Sequence, residues 1–236
     1  MSRSSAPLAL SVVSVTDPGD VEATAFKIME FDKGGFGIRH DYTWDVLPAC
    51  LQGVLDPLAV QRSLFARPKR ISNCVTALCY LGKQRPVGAK SFADFPEARL
   101  KTISMIQWGP DVLVRAKASC WYVDDNGQAV IPLLQPRKAV LSREKLAVYL
   151  ALGRQAHCKG DWASARTELI DLSGDDRDGV HAVVTAEADL PKVSDDLLGD
   201  YVRTYIEAKK IADLVKAPRE KKPKDRGMGD MFAPES

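Results

Sequence analysis

The chain has 236 residues, 45% of them hydrophobic and 27% charged, which is the balance of a globular protein able to fill a core. A formal net charge of +2 excludes a chain built throughout as a polyanion binder, although the charge is unevenly spread. No apolar run approaches the roughly 20 residues that span a bilayer, and the five cysteines are scattered without a Cys-x-x-Cys pair; both features predict a soluble, cytoplasmic protein with reduced thiols and no membrane partner.

Residues 1–7 read as a polar, disordered leader. Leu10 to Thr16 reads as a strand, followed by a turn at Asp17-Pro18-Gly19-Asp20. Val21 to Phe31 is open between a strand and a short helix. Lys33-Gly34-Gly35-Phe36-Gly37 lacks the Gly-Lys-Ser/Thr ending of a phosphate-cradling loop and is expected to be a hairpin turn. Tyr42 to Leu55 is a helix candidate interrupted at Pro48 and Gly53.

The next stretch, Gln61-Arg62-Ser63-Leu64-Phe65-Ala66, fits the short pattern with which bacterial polymerases and repair factors plug into the replication sliding clamp. The chemistry asked of it is plain. Leu64 and Phe65 are neighbouring apolar anchors for a concave pocket, each worth roughly 1.5–3 kcal/mol when buried. Gln61 supplies an amide that both donates and accepts at the pocket edge, and Ser63 suits a position where bulk would clash. The competing reading is structural: Asp56-Pro57 starts a short helix whose buried face is Leu58, Val60, Leu64 and Phe65.

Arg67-Pro68-Lys69-Arg70 forms a local basic cluster, and Ser72 to Tyr80 reads as a helix capped by Ser72 or Asn73. Residues 82–98 are rich in Gly, Pro and charge and read as a loop or junction. Ile103 to Trp108 and Val112 to Val123 are expected to be strands. Asp125-Asn126-Gly127 is a hairpin turn, since Asn-Gly tolerates the positive φ angles of a type I′ turn, and Gln128 to Leu134 is the returning strand. Ser142 to Ala156 reads as a helix, Thr167 to Leu172 and Val180 to Ala186 as another hairpin, and Ser194 to Val215 as the clearest helix. That last helix opens on acids and places Leu197, Tyr201, Tyr205, Ala208, Ile211 and Val215 at helical spacing. The expected class is α+β: an antiparallel sheet with hairpins packed against several helices, and a disordered basic C-terminal tail. The expected division is an N-terminal region over 1–82, a sheet-and-helix region over 99–217 and the tail over 218–236.

Catalytic patterns are incomplete. Ser142 to Lys145 matches Ser-x-x-Lys without the accompanying elements of penicillin-recognising acylases, and Ser142 reads as a helix cap. His40, His157 and His181 form no metal-binding arrangement, and Cys74 and Cys79 have the wrong spacing for a zinc knuckle. Pro110-Asp111 with Arg115-Ala116-Lys117 is similar to a nuclease core, but Arg115 stands where the second carboxylate is needed. Glu207-Ala208-Lys209 supplies Glu-x-Lys on a helix. The expectation is a non-enzyme with no metal and no cofactor.

On Gln61, Ser63, Leu64 and Phe65, with its size and the incomplete catalytic patterns, the chain resembles the SocB family of toxins, which belong to an atypical type of toxin–antitoxin system and bind the sliding clamp. The resemblance covers the hexapeptide. It implies that these four residues contact the DNA polymerase III sliding clamp (beta subunit), displace polymerase and other clients, and stall elongation. It implies further partners: an antitoxin acting as a proteolytic adaptor, and the ClpXP protease. Met228 to Phe232, with Asp230, Met231 and Phe232, is similar to a degenerate second copy of the pattern. The alternative is a nucleic-acid-binding accessory protein using Arg67, Lys69, Arg70, Lys83, Arg85 and the Lys-rich tail on phosphates.

Overall fold

The computed structural model describes residues 6–33, 40–92, 103–109, 112–175, 177 and 179–215. In chain order these form α1 (Ala9–Val15), α2 (Val21–Lys33), α3 (Asp41–Leu51), α4 (Pro57–Ser63), α5 (Lys69–Gln84), β1 (Lys90–Ser91), β2 (Ile103–Gln107), β3 (Leu113–Lys117), β4 (Cys120–Val123), β5 (Ala129–Gln135), α6 (Arg143–His157), β6 (Arg166–Asp171), β7 (Val183–Ala186) and α7 (Asp195–Val215). The class is α+β. The glycine-rich turn at 33–37, Pro110-Asp111 and the tail over 218–236, including Met228 to Phe232, fall wholly or largely outside the described residues.

Local signals account for many of these elements. Ser142 caps α6 by accepting from the Lys145 N–H at 3.2 Å. Gly127 sits at φ +77° between β4 and β5, but its N–H donates to the Asp124 carbonyl at 2.9 Å, so the turn is centred on Asp125-Asn126 with Gly127 following, not on Asn126-Gly127 as the type I′ reading expects. Several expectations need correction. Leu10 to Thr16 is not a strand: α1 is helical because Ala9, Leu10, Val12 and Val13 fall on one helical face, and all four are buried. The helix α5 starts at Lys69, not at Ser72, and Ser72 is buried inside it. The stretch 112–123 is two strands, because β3 pairs with β2 in a separate two-stranded sheet whereas β4 pairs with β5 and β1. The switch lies at Ala118-Ser119, both buried, where the Ser119 carbonyl accepts from the Phe92 N–H at 3.1 Å.

The main sheet has the order β1-β4-β5-β6-β7. It is mixed, not purely antiparallel, since β5 and β6 run parallel. The chain between them forms α6, the crossover that a parallel pair requires. The central strand β5 is buried on both faces and its side chains alternate between two apolar clusters. Ile131 and Leu133 join α1, α2, α6 and α7 on one side. Val130 and Leu134 join α3 and α5 on the other. Contact on the α6 side is close: a Cβ at Gly153 would lie 2.0 Å from Leu133 Cδ1. The regions 1–82 and 99–217 interlock, as α2 packs along α7 and α1 against α6.

Candidate functional site

The hexapeptide lies at the end of α4. Asp56 caps this seven-residue helix, its carboxylate accepting from the Ala59 N–H at 2.7 Å, and Pro57 occupies the first turn, where a missing N–H costs nothing. Gln61, Arg62 and Ser63 are exposed, and the Ser63 hydroxyl donates back to the Val60 carbonyl at 2.8 Å. Leu64 closes the helix, its N–H donating to the Val60 carbonyl at 3.1 Å. The chain then turns, so the two anchor residues part company. Leu64 is 5% exposed and joins the cluster of Trp44, Leu47, Ile71 and Val75 between α3 and α5. Phe65 is 87% exposed, the greatest exposure of any large hydrophobic side chain among the described residues. The short-helix reading holds for Leu64 and for the half-buried Val60, and it fails for Leu58 and Phe65, which are exposed.

Gln61 also lines a cleft of about 470 Å³ with Asn73, Tyr80 and Gln84 of α5 and His181 beyond β6. The peptide therefore presents an amide and a phenyl ring to solvent, with a serine between them and the leucine turned inward. The adjoining basic cluster does not form one patch. Arg67 stacks over the Tyr42 ring at 4.2 Å. Arg70 is buried, donating to the carbonyls of Pro136 at 3.0 Å, Gly174 at 3.1 Å and Arg137 at 2.9 Å, and to that of Leu172. These carbonyls follow the ends of β5 and β6, so Arg70 satisfies acceptors there and is not available to a phosphate backbone. Arg85 lies 3.8 Å from the buried Glu168 carboxylate, to which Tyr122 donates.

The other residues singled out in the sequence have the following surroundings. Lys145 does not meet the Ser142 hydroxyl with its ammonium group; it donates to Asp17 at 2.8 Å and to the Ser14 carbonyl at 3.1 Å. Partial burial works to raise the Asp17 carboxyl, and the ammonium groups of Lys145 and Lys27 outweigh it, holding it below the ordinary aspartate range. His157 is buried, and burial followed by the nearby Lys159 charge pushes its imidazole down to about 4. The adjacent Cys158 thiol is raised by burial. Cys50 and Cys79 meet across α3 and α5 with their sulfurs 3.5 Å apart. Cys74 donates instead to the Pro136 carbonyl at 3.6 Å. Lys209 pairs with Asp213 one turn on. No group of three or more potential metal ligands occurs among the described residues.

One cluster was not assembled from the sequence. Arg115 and Lys117 on β3 share a cavity of about 460 Å³ with Arg137, Asp41, Trp44, Phe31 and Tyr149. Two cations at i and i+2 on a strand share a face, and that much was legible. Arg137 arrives from the loop after β5, held there because the Gln135 carboxamide accepts from the Arg137 N–H at 2.8 Å and donates to the Ala139 carbonyl at 2.8 Å. Its place beside β3 has no local signature.

No helix of the described residues is long and apolar enough to cross a membrane. No family model matches the chain, and no curated protein matches it. Among solved structures the chain is similar to one described as "Crystal structure of SSO0001", at 12% identity and a TM-score of 0.34, covering 79% of this chain and 84% of that one.

Proposed function

We propose that this protein is a toxin that acts without chemistry of its own, by occupying the client pocket of the bacterial DNA sliding clamp through Gln61, Ser63, Leu64 and Phe65. The observation that supports this reading is the exposure of Phe65. A phenyl ring left in water contributes little to the fold and is open to serve as an anchor for a partner pocket, and Gln61, near the end of α4 and four residues before it, is exposed as well. Competition with polymerase and other clients then blocks elongation in the cytoplasm. A competitor needs only micromolar affinity, about −8 kcal/mol, to displace clients that bind no tighter. An antitoxin that delivers the chain to the ClpXP protease completes the proposed system.

Leu64 sets the condition for engagement. It serves as the second anchor only after the last turn of α4 lifts from α3 and α5. Withdrawing one leucine from a core costs about 1.5–3 kcal/mol, which lowers the apparent affinity roughly ten- to a hundredfold relative to a free peptide of the same sequence. The test is binding of purified clamp to the full chain, beside Gln61→Ala and Phe65→Ala. The expected result is a micromolar complex that both substitutions weaken by tenfold or more while circular dichroism stays unchanged. A wild-type chain that ignores the clamp, or a folded Phe65→Ala variant that binds as well as wild type, refutes the proposal.

A further inference from the structure

The cavity shared by Arg115, Lys117 and Arg137 lies away from the hexapeptide, walled by α1, α2 and α3, by β2 and β3, and by the loop after β5. Three cationic side chains line it against one carboxylate, Asp41. That carboxylate pairs with Lys117, Nζ to Oδ1 at 2.9 Å, and it lies at the solvent edge. Arg137 is compensated only by neutral groups among the described residues: it donates to the Ser14 hydroxyl at 2.8 Å and to that of Ser11, with its guanidinium 5.4 Å from the centre of the Phe31 ring. Arg115 is less satisfied still. Its Nε is buried and has no hydrogen-bond partner among the described residues. A desolvated guanidinium N–H without an acceptor is uncommon in folded proteins and marks a place where an acceptor is expected to arrive.

We propose that this cavity is a binding site for a small phosphorylated ligand with a planar body, of the mononucleotide class. Planar guanidinium groups match phosphate oxygens in geometry as well as charge, and two of them with an ammonium in the same cavity provide donors for one or two phosphates. Beside His40 and Ser11, the remaining wall includes Trp44, Phe31, Leu10 and Ile103, apolar and aromatic surface that suits a flat ring. The volume of about 460 Å³ falls within the roughly 300–1,000 Å³ of small-molecule sites. The Lys117 side chain is only 10% exposed, so its ammonium is reached by a molecule that enters the cavity and not by a strand lying across the surface. This distinguishes the site from a nucleic-acid groove.

The experiment is calorimetric titration of the full chain with adenosine diphosphate, inorganic pyrophosphate, adenosine and a short oligothymidylate. Adenosine diphosphate is expected to bind with a dissociation constant below about 1 mM, at least tenfold tighter than either adenosine or pyrophosphate. Arg115→Gln and Arg137→Gln are each expected to weaken it tenfold or more, with the exposed-site control Lys83→Gln unaffected. Silence with adenosine diphosphate overturns the proposal. So does equal binding of adenosine, which removes the phosphate from recognition, or equal binding of pyrophosphate, which removes the ring. Tighter binding of the oligothymidylate replaces the proposal with an extended nucleic-acid site. If an arginine variant fails to fold, the ranking of the four probes on the wild-type chain still decides.

Discussion

His157 ends α6 and is 3% exposed, with its ring 6.3 Å from the Phe92 ring and neither ring nitrogen hydrogen-bonded among the described residues. Such a histidine is held neutral by its surroundings, its pKa lowered from 6.5 to about 4. The unfolded chain binds a proton at this residue between those two values and the folded chain does not. Stability is therefore complete above pH 6.5 and declines as pH falls toward 4. At about pH 5 the loss is about 2 kcal/mol, well above the range in which aspartates contribute. Urea denaturation from about pH 7.5 to 5 measures it, and His157→Leu is expected to flatten that part of the curve. Equal slopes for the two proteins would show that the imidazole is not the group responsible. The anchor pair separates at the same scale. Leu64→Ala is expected to cost about 2–3 kcal/mol of stability because it empties a core position, whereas Phe65→Ala leaves stability within about 0.5 kcal/mol because its ring is in solvent. Thermal melts of the two variants check this directly, and a large loss from Phe65→Ala would contradict the exposure on which the clamp reading depends.

The short helix α4 carries the first residues of the hexapeptide. It has seven residues, and Pro57 and Leu64 are its buried ends. Its N-cap is worth about 1 kcal/mol. If clamp binding draws on a lifted α4, Asp56→Ala shifts that equilibrium by the same amount and tightens clamp binding roughly fivefold even as the free protein loses stability. Fluorescence anisotropy with labelled chain reads the change. Unaltered or weaker binding would mean that Leu64 stays in place and that Phe65 and Gln61 act alone. The contrast with α5 is instructive. That helix cannot move independently: a Cβ at Gly82 would lie 1.8 Å from the Cys50 carbonyl oxygen, so α3 and α5 touch backbone to backbone.

At the scale of the whole molecule, the two apolar clusters tie the chain's beginning to its end. Ala9, Leu10, Val12, Val13, Ala25 and Ile28 from α1 and α2 share a core with Tyr201, Tyr205 and Ala208 of α7. Trp44, Leu47, Val75 and Leu78 cover the opposite face of the sheet. A fragment limited to residues 99–217 loses all of the former set and all of the latter. It is expected to lack a cooperative unfolding transition and to bind a hydrophobic dye, whereas the chain from residue 6 to 217 unfolds cooperatively. A sharp transition in the short fragment would show that the sheet region stands alone.

The sequence by itself determined what local chemistry controls. The caps at Asp56 and Ser142, the positive φ of Gly127 in the turn after β4 and the 3.6-residue rhythm of α7 each depend on residues within a few positions of one another. The tertiary structure decided the rest. The stretch from Leu10 to Thr16 has the β-branched content of a strand, and burial of one face against α6 makes it a helix. The parallel step from β5 to β6 depends on where α6 packs. Whether Leu64 or Phe65 meets solvent depends on α3 and α5, and the approach of Arg137 to Arg115 depends on how the sheet closes against α1. Exposure and long-range proximity are properties of the packed chain, and no short window of residues encodes them.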